Sequence, residues 1–158
     1  MTLLSVFNVL LYRYSGQEDI CVGTPVAGRS QQETENLIGF FINTLALRSQ
    51  VDGSKPFTQL LQETKETTLE AYSHQEVPFE KVVDAVVTTR DMSRSPLFQV
   101  LFSLQNTPEV PQLKLASLSL TAASQEHTTT QFDIAFMLSE TTSGIQGTVE
   151  YSTDLYKE

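Results

Sequence analysis

The sequence predicts an α+β fold. Two observations lead there. Two amphipathic stretches in the first half carry apolar residues at helical spacing, whereas in the second half the spacing falls to two; these are the periods of a helix face and of a strand face. The chain has 158 residues, 40% of them apolar, which suffices for a real core and points to one compact unit.

The elements follow in order. Residues 3–14 read as a buried helix, because Leu3, Leu4, Val6, Phe7, Val9, Leu10 and Leu11 leave almost no polar face, and such a helix needs neighbours on several sides. The stretch is too short to span a bilayer and lacks the basic start and small-residue cleavage site of a signal peptide. A domain seldom opens on a fully buried element, so the pattern suggests a cut inside a larger fold. Ser15-Gly16-Gln17 breaks the helix, and Ile20-Cys21-Val22 reads as a strand ending in a Gly-Thr-Pro turn. Residues 28–36 are polar and read as a loop. Residues 40–47 are apolar at odd and even positions, the mark of a strand buried on both faces, interrupted by Asn43 and Thr44.

Pro56 can open a helix at its first turn, and Phe57, Leu60, Leu61, Thr68, Ala71 and Tyr72 then recur at helical spacing. Pro78 opens a shorter one, with Phe79, Val82, Val83, Val86 and Val87 on one face, although its β-branched residues weaken helix propensity. Three strands alternate cleanly: Phe98 to Leu104, Phe132 to Leu138, and Ile145 to Tyr151. Leu113 and Leu115 differ in parity from Leu118 and Leu120, so a bulge or break is expected near 116–117. Residues 139–143 followed by Gly144 form a natural hairpin connection, and 125–131 is polar enough to be mobile.

Composition excludes several functions. The formal net charge is −9, so the average field repels nucleic acid and anionic membrane surfaces. A single cysteine, Cys21, forms neither an internal disulfide nor a metal cluster, and the cytoplasm is the expected compartment. Acid–base catalysis near neutral pH usually falls to histidine, and here the two histidines, His74 and His127, stand alone without the spacing of a zinc site. Both read as structural or solvated, and Cys21 reads as a small buried hydrophobe. The stretch from Gly23 to Arg29 holds a proline and no following lysine, unlike a phosphate-binding loop.

What resists a bland reading is polar residues among apolar ones. Asn43 and Thr44 need hydrogen-bond partners, since a buried unsatisfied polar group costs about 1–3 kcal/mol. Arg90, Asp91, Ser93 and Arg94 precede a Ser95-Pro96 turn ahead of a core strand, where an Arg–carboxylate pair would lock the turn. Arg29 and Arg48 are further candidates for ion pairs within the fold.

These residues fall into ordered motifs. Ile38-Gly39-Phe40-Phe41-Ile42-Asn43-Thr44 with Arg48 resembles the fifth core motif of the condensation domains of nonribosomal peptide synthetases, Ile-Gly-x-Phe-Val-Asn-Thr followed by Arg. His74-Gln75-Glu76-Val77-Pro78-Phe79-Glu80 resembles the sixth, with Glu76 at the usual Asp. Residues 90–97, Arg-Asp-Met-Ser-Arg-Ser-Pro-Leu, resemble the seventh, with Ser95 at the usual Asn. Flanks at 22–29 and 147–154 are similar to the family too, so the resemblance covers nearly the whole chain.

The resemblance implies a single chloramphenicol acetyltransferase-like lobe, a mixed, mostly antiparallel sheet with helices packed on one side, the C-terminal half of a domain built from two αβ lobes. The His-His-x-x-x-Asp-Gly motif of the N-terminal lobe does not occur in these residues, so residues 1–158 would be a partial condensation domain, inactive alone, with no catalytic residue and no metal. A complete domain of this family joins carrier-bound aminoacyl or peptidyl thioesters, fitting ordinary peptide formation better than heterocyclisation. Phosphopantetheine arms on partner carrier proteins would enter a tunnel between the lobes, with no cofactor bound directly. The implied partners are the N-terminal lobe, upstream and downstream peptidyl carrier proteins and a neighbouring adenylation domain, with no nucleic acid and no membrane. Asn43 and Thr44 are the tunnel candidates. Arg29, Arg48, His74, Gln75, Glu80, Arg90, Asp91, Ser93 and Arg94 would brace the lobe, and segments near 23–37 and 106–131 would cross to the other one. The alternatives are a non-catalytic binding module for carrier or partner lobe, or a fragment of a related epimerisation domain.

Overall fold

The computed structural model describes residues 1–29, 31–34, 37–89, 91, 93–105, 129–142 and 144–157, with the backbone alone of 114–115 and 118–119. Where one compact unit is expected, these residues form two, Met1–Phe102 and Ser103–Glu158.

The first unit is organised around a three-stranded core ladder. Strand β1 (Asp19–Val26) pairs antiparallel with β2 (Asn43–Gln50), in a register running from Asp19 opposite Gln50 to Val26 opposite Asn43. On its other edge β1 pairs in parallel with β3 (Val100–Gln105), Val22 beside Val100. β3 runs across the division between the units. The mixed sheet that the resemblance implies is therefore present.

Ile20, Val22, Leu45, Leu47 and Ser49 are buried on one face of β1–β2, where helices α1 (Thr2–Ser15) and α2 (Phe57–Ser73) pack. α1 ends where Gly16 turns left-handed, φ 69°, and returns its N–H to the Tyr12 carbonyl at 2.9 Å, a closure that glycine adopts without steric penalty. Phe7 of α1 meets Phe102 of β3 with ring centroids 5.1 Å apart. The helix buries Leu4, Ser5, Phe7 and Asn8, while Val6 and Leu10 stay exposed. The all-round burial expected from its composition is thus confined to one face within this unit.

α2 begins after Pro56 and buries Leu60, Thr64 and Thr68, one narrow stripe at a spacing of four. Its outer face is laced by Lys55–Glu63 at 2.8 Å and by Gln62–Glu66 at 2.7 Å. Phe57 and Tyr72, expected on the apolar face, are 43% and 42% exposed. α3 (Phe79–Val86) follows Pro78 and buries only Val83. Its Phe79 ring lies 5.5 Å from that of Phe98. Phe98 in turn covers Gly23, where a Cβ would run into the phenyl ring. That close approach explains a glycine in the middle of a core strand.

One expectation fails in an instructive way. Residues 40–47 do not form a strand buried on both faces: β2 starts only at Asn43, Phe40 is 88% exposed, and burial along β2 alternates. The continuous apolar run is two things joined, an exposed apolar segment up to Ile42 and a one-sided strand after it.

In the second unit, β6 (Ile134–Thr141) and β7 (Gly144–Tyr151) form an antiparallel hairpin, Thr141 pairing with Gly144. The strands extend into the polar stretch expected to be loop, because ladder bonds do not depend on side-chain polarity. Ala135 is buried and Ile145 and Val149 are exposed. Short strands β4 (Lys114–Leu115) and β5 (Leu118–Ser119) pair with each other on either side of 116–117, where a break is expected. His127 and most of the polar 125–131 segment lie outside the described residues. Among those residues, no helix is long and apolar enough to cross a membrane.

Candidate functional site

Asn43, the first residue of β2, gathers the site. Its side-chain N–H groups donate to the backbone carbonyls of Gln75 and Val77, both at 2.8 Å, and its Oδ1 accepts the Phe79 N–H at 3.2 Å. The last bond satisfies the first N–H of α3, one of the donors every helix start leaves open. Pro78 has no N–H to offer, so the chain turns around a side chain thirty-odd positions away. The partners that Asn43 requires are therefore the backbone of residues 75–79. Thr44, its neighbour, is half-buried and pairs across the ladder with Pro25.

The segment so held includes the other residues of its motif. His74 caps the end of α2, exposed, with its N–H on the Ala71 carbonyl and its own carbonyl accepting from Val77. Gln75 is half-buried and Glu80 exposed. Across from them, Gly28 has φ 61° and lies so close to the Phe41 carbonyl that a Cβ could not be accommodated. Arg29 donates to the carbonyls of Thr34 and Leu37 and lies over the Phe41 ring, 4.4 Å from its centroid. Between these walls is an open cleft of about 460 Å³, lined by Asn43, Gln75, Glu76 and Glu80 on one side and by Gln31, Thr34 and Phe41 on the other.

The third motif stands apart from that cleft. Asp91 accepts the Ser93 N–H at 2.9 Å and the Ser93 hydroxyl at 2.6 Å, a local turn closed by a carboxylate. Those two bonds, the hydroxyl's first, hold the Asp91 carboxyl below the usual value, with Arg94 adding only through its charge. Ser93 therefore closes this turn through both its amide and its hydroxyl. Arg90 lies outside the described residues. Leu97 then takes a left-handed φ of 68°, and the Phe98 N–H returns to the Pro96 carbonyl at 2.9 Å. The three-residue turn is strained for a branched side chain. Glu80, Asp91, Arg94 and Leu97 line a second open cleft, of about 600 Å³, beside α3.

Arg48 pairs with Asp19 through two bonds of 2.8 and 2.6 Å on the exposed strand surface. The pairing lowers the Asp19 carboxyl, chiefly by the hydrogen bond from Arg48. Arg29 makes carbonyl and ring contacts within its own segment. Burial, then the Asp19 charge, push the Cys21 thiol up, which disfavours the nucleophilic thiolate. Among the described residues no group of histidine, cysteine and carboxylate side chains could hold a metal.

Of the expected residues, then, the fold brings Asn43, Gln75 and Glu80 together around one cleft, with Arg29 supporting its far wall. Asp91, Ser93 and Arg94 belong to a neighbouring turn, and Arg48 to the open face of the sheet. Gln31, Thr34, Phe41 and Glu76 were not singled out by sequence reasoning. For Phe41 the signal was available, since it occupies the fixed aromatic position of its motif, whereas Phe40, at the variable one, is exposed.

Comparison with known proteins shows the family and the fold. The family model described as Condensation domain matches residues 1–158. The chain is 53% identical over 157 residues to one of the linear gramicidin synthase proteins of Brevibacillus parabrevis, covering 99% of the chain and 2% of that protein. It is 49% identical over 160 residues to one of the plipastatin synthase proteins of Bacillus subtilis (strain 168), covering all of the chain and 6% of that protein. The chain therefore spans only a small part of these relatives. Among solved structures, a four-domain nonribosomal peptide synthetase bound to AMP and glycine superposes with a TM-score of 0.88 at 26% identity, over 99% of this chain and 13% of that one. The X-domain from teicoplanin biosynthesis superposes at 0.87 over 99% of this chain and 36% of that one; at 24% identity this likeness shows the fold alone.

Proposed function

Because the chain belongs to the condensation-domain family of nonribosomal peptide synthetases, we propose that it is the C-terminal lobe of a peptide-forming condensation domain, one wall of a substrate tunnel completed by an N-terminal lobe. The observation that carries this reading is the Asn43 cleft, where two motifs remote in sequence are hydrogen-bonded into one surface. Such a cleft, with the side-chain amides of Gln31 and Gln75 in its lining, suits the amide-bearing phosphopantetheine arm of a carrier protein. Asn43, engaged by the backbone of residues 75–79, holds that wall in place before the arm arrives, which limits the ordering entropy of binding.

In the proposed reaction the amine of the downstream aminoacyl group attacks the upstream thioester carbonyl. A C–N bond forms, a C–S bond breaks, and the amine proton leaves as the pantetheine thiolate departs. This chain orients the arms, and the proton-accepting histidine comes from the N-terminal lobe. On this reading His74, exposed on the helix end, and the exposed carboxylates of Glu76 and Glu80 are not the proton acceptor.

Carrier proteins upstream and downstream and a neighbouring adenylation domain are the proposed partners, with the cytoplasm as the compartment. The net charge of −9 does not oppose carrier docking, which depends on a local patch. Size-exclusion chromatography of the chain with a separately expressed N-terminal lobe from the same synthetase tests the reading. A one-to-one complex supports it. Two independent peaks at micromolar concentrations count against it and favour a free-standing carrier-binding module.

A further inference from the structure

Arg29 reaches three separate points of the segment forming the far wall of the Asn43 cleft. Its guanidinium donates to the carbonyls of Thr34 and Leu37 and lies over the Phe41 ring at 4.4 Å. Gly28 beside it meets the Phe41 carbonyl at a distance only a residue without Cβ permits. Thr34 and Phe41 both line the cleft. The segment's described residues have little else of their own to hold them. Among its described residues the regular structure is one short 3₁₀ turn (Gln32–Thr34), with no buried residue, while Leu37, Ile38, Phe40 and Ile42 are all more than half exposed. A segment without a core of its own takes its shape from whatever closes it.

We infer that Arg29 is the positioning residue of this wall: by tying Thr34, Leu37 and Phe41 together it fixes the far side of the cleft opposite Asn43, and so sets how tightly the cleft holds its occupant. The inference rests on the reading of that cleft as part of the substrate path. A planar guanidinium suits the task, because one fork can serve two carbonyls while its face stacks on a phenyl ring. Lysine has a single point of charge and no face. These three contacts join wall residues to one another, so loss of Arg29 loosens the wall more than the sheet.

Residue-resolved amide exchange on the chain, followed by kinetics of the chain mixed with its N-terminal lobe, tests this. In Arg29→Ala, the hydrogen-bonded amides of Thr34 and Leu37 are expected to exchange about tenfold faster or more, while those of Val22 and Leu47 change less than about twofold. In the mixture, KM for the carrier-bound substrates rises about tenfold with kcat within about threefold. Arg29→Lys falls between Ala and the unaltered chain in both. Unchanged exchange at Thr34 and Leu37 overturns the inference, as does loosening that spreads equally to Val22 and Leu47, or a fall in kcat at constant KM. If Arg29→Ala does not fold, Phe41→Leu, which removes only the ring platform, must give the same localised loosening, and uniform or absent loosening overturns the inference. If even the unaltered mixture forms no peptide, the functional reading fails, and the exchange result still decides whether Arg29 holds the wall.

Discussion

Replacing Asn43 with alanine is the most direct way to ask whether one side chain joins the two motifs. The substitution removes three hydrogen bonds at once, to the carbonyls of Gln75 and Val77 and from the N–H of Phe79. A net hydrogen bond contributes about 1 kcal/mol, and loss of a side-chain acceptor at a helix start costs a similar amount, about 0.5–2 kcal/mol. Three such bonds sum to about 3 kcal/mol. The bond to Val77 is exposed, and water replaces it in part, so about 2 kcal/mol is the expected loss. The chain contains no tryptophan, so urea unfolding is best followed by circular dichroism, where the midpoint shifts down with little change in slope. Asn43→Asp should lose more than half as much: the carboxylate still accepts from Phe79 at the helix start, yet it faces two carbonyls without a proton to give them. An alanine variant within about 0.5 kcal/mol of the unaltered chain would refute the reasoning, since that is the range of an ordinary surface substitution.

Three further outcomes follow. Gly23→Ala should lose about 1–3 kcal/mol, because its Cβ meets the Phe98 ring, and adding Phe98→Leu should restore part of that loss in a double-mutant cycle; simple additivity would contradict the account. Asp19 and Asp91 both have lowered carboxyl values, held down chiefly by Arg48 and by Ser93 respectively. A depressed value contributes stability above the ordinary carboxylate value of 3.8 that is lost as pH falls through the folded-state value. Acid titration of stability should therefore flatten below about pH 4 in the Asp19→Asn, Asp91→Asn double variant, and an unchanged acid limb would contradict it. The raised Cys21 thiol should alkylate at neutral pH about tenfold more slowly in the folded chain than in urea; equal rates would show that the strand does not protect it.

Much of the fold was legible because it rests on period and punctuation. The strands β6 and β7, the helix after Pro56 and the glycine stop of α1 each follow from a local pattern that the fold does not override. The run from Phe40 to Leu47 was misread because hydropathy reports the wish to be buried and not the partner that does the burying. Exposed Ile38, Phe40 and Ile42 carry the same signal as buried Leu45 and Leu47. The same limit affected α1, whose composition suggested burial on all sides.

At the site, the need of Asn43 for partners was readable, but their identity was not, since they are backbone atoms more than thirty residues away. The two bonds from Ser93 to Asp91 were equally hidden, because an arginine nearby supplies the more obvious partner from sequence alone. The motifs could be recognised by order and spacing, whereas their assembly into one cleft is a property of the ladder register that places Asn43 opposite Val26.

The measurement that bears most directly on the central claim is a condensation assay with two loaded carrier proteins, run on this chain alone and again with the separately expressed N-terminal lobe. The account predicts peptide bond formation only in the mixture; turnover by the chain alone would contradict it, because it would place a catalytic base within these 158 residues.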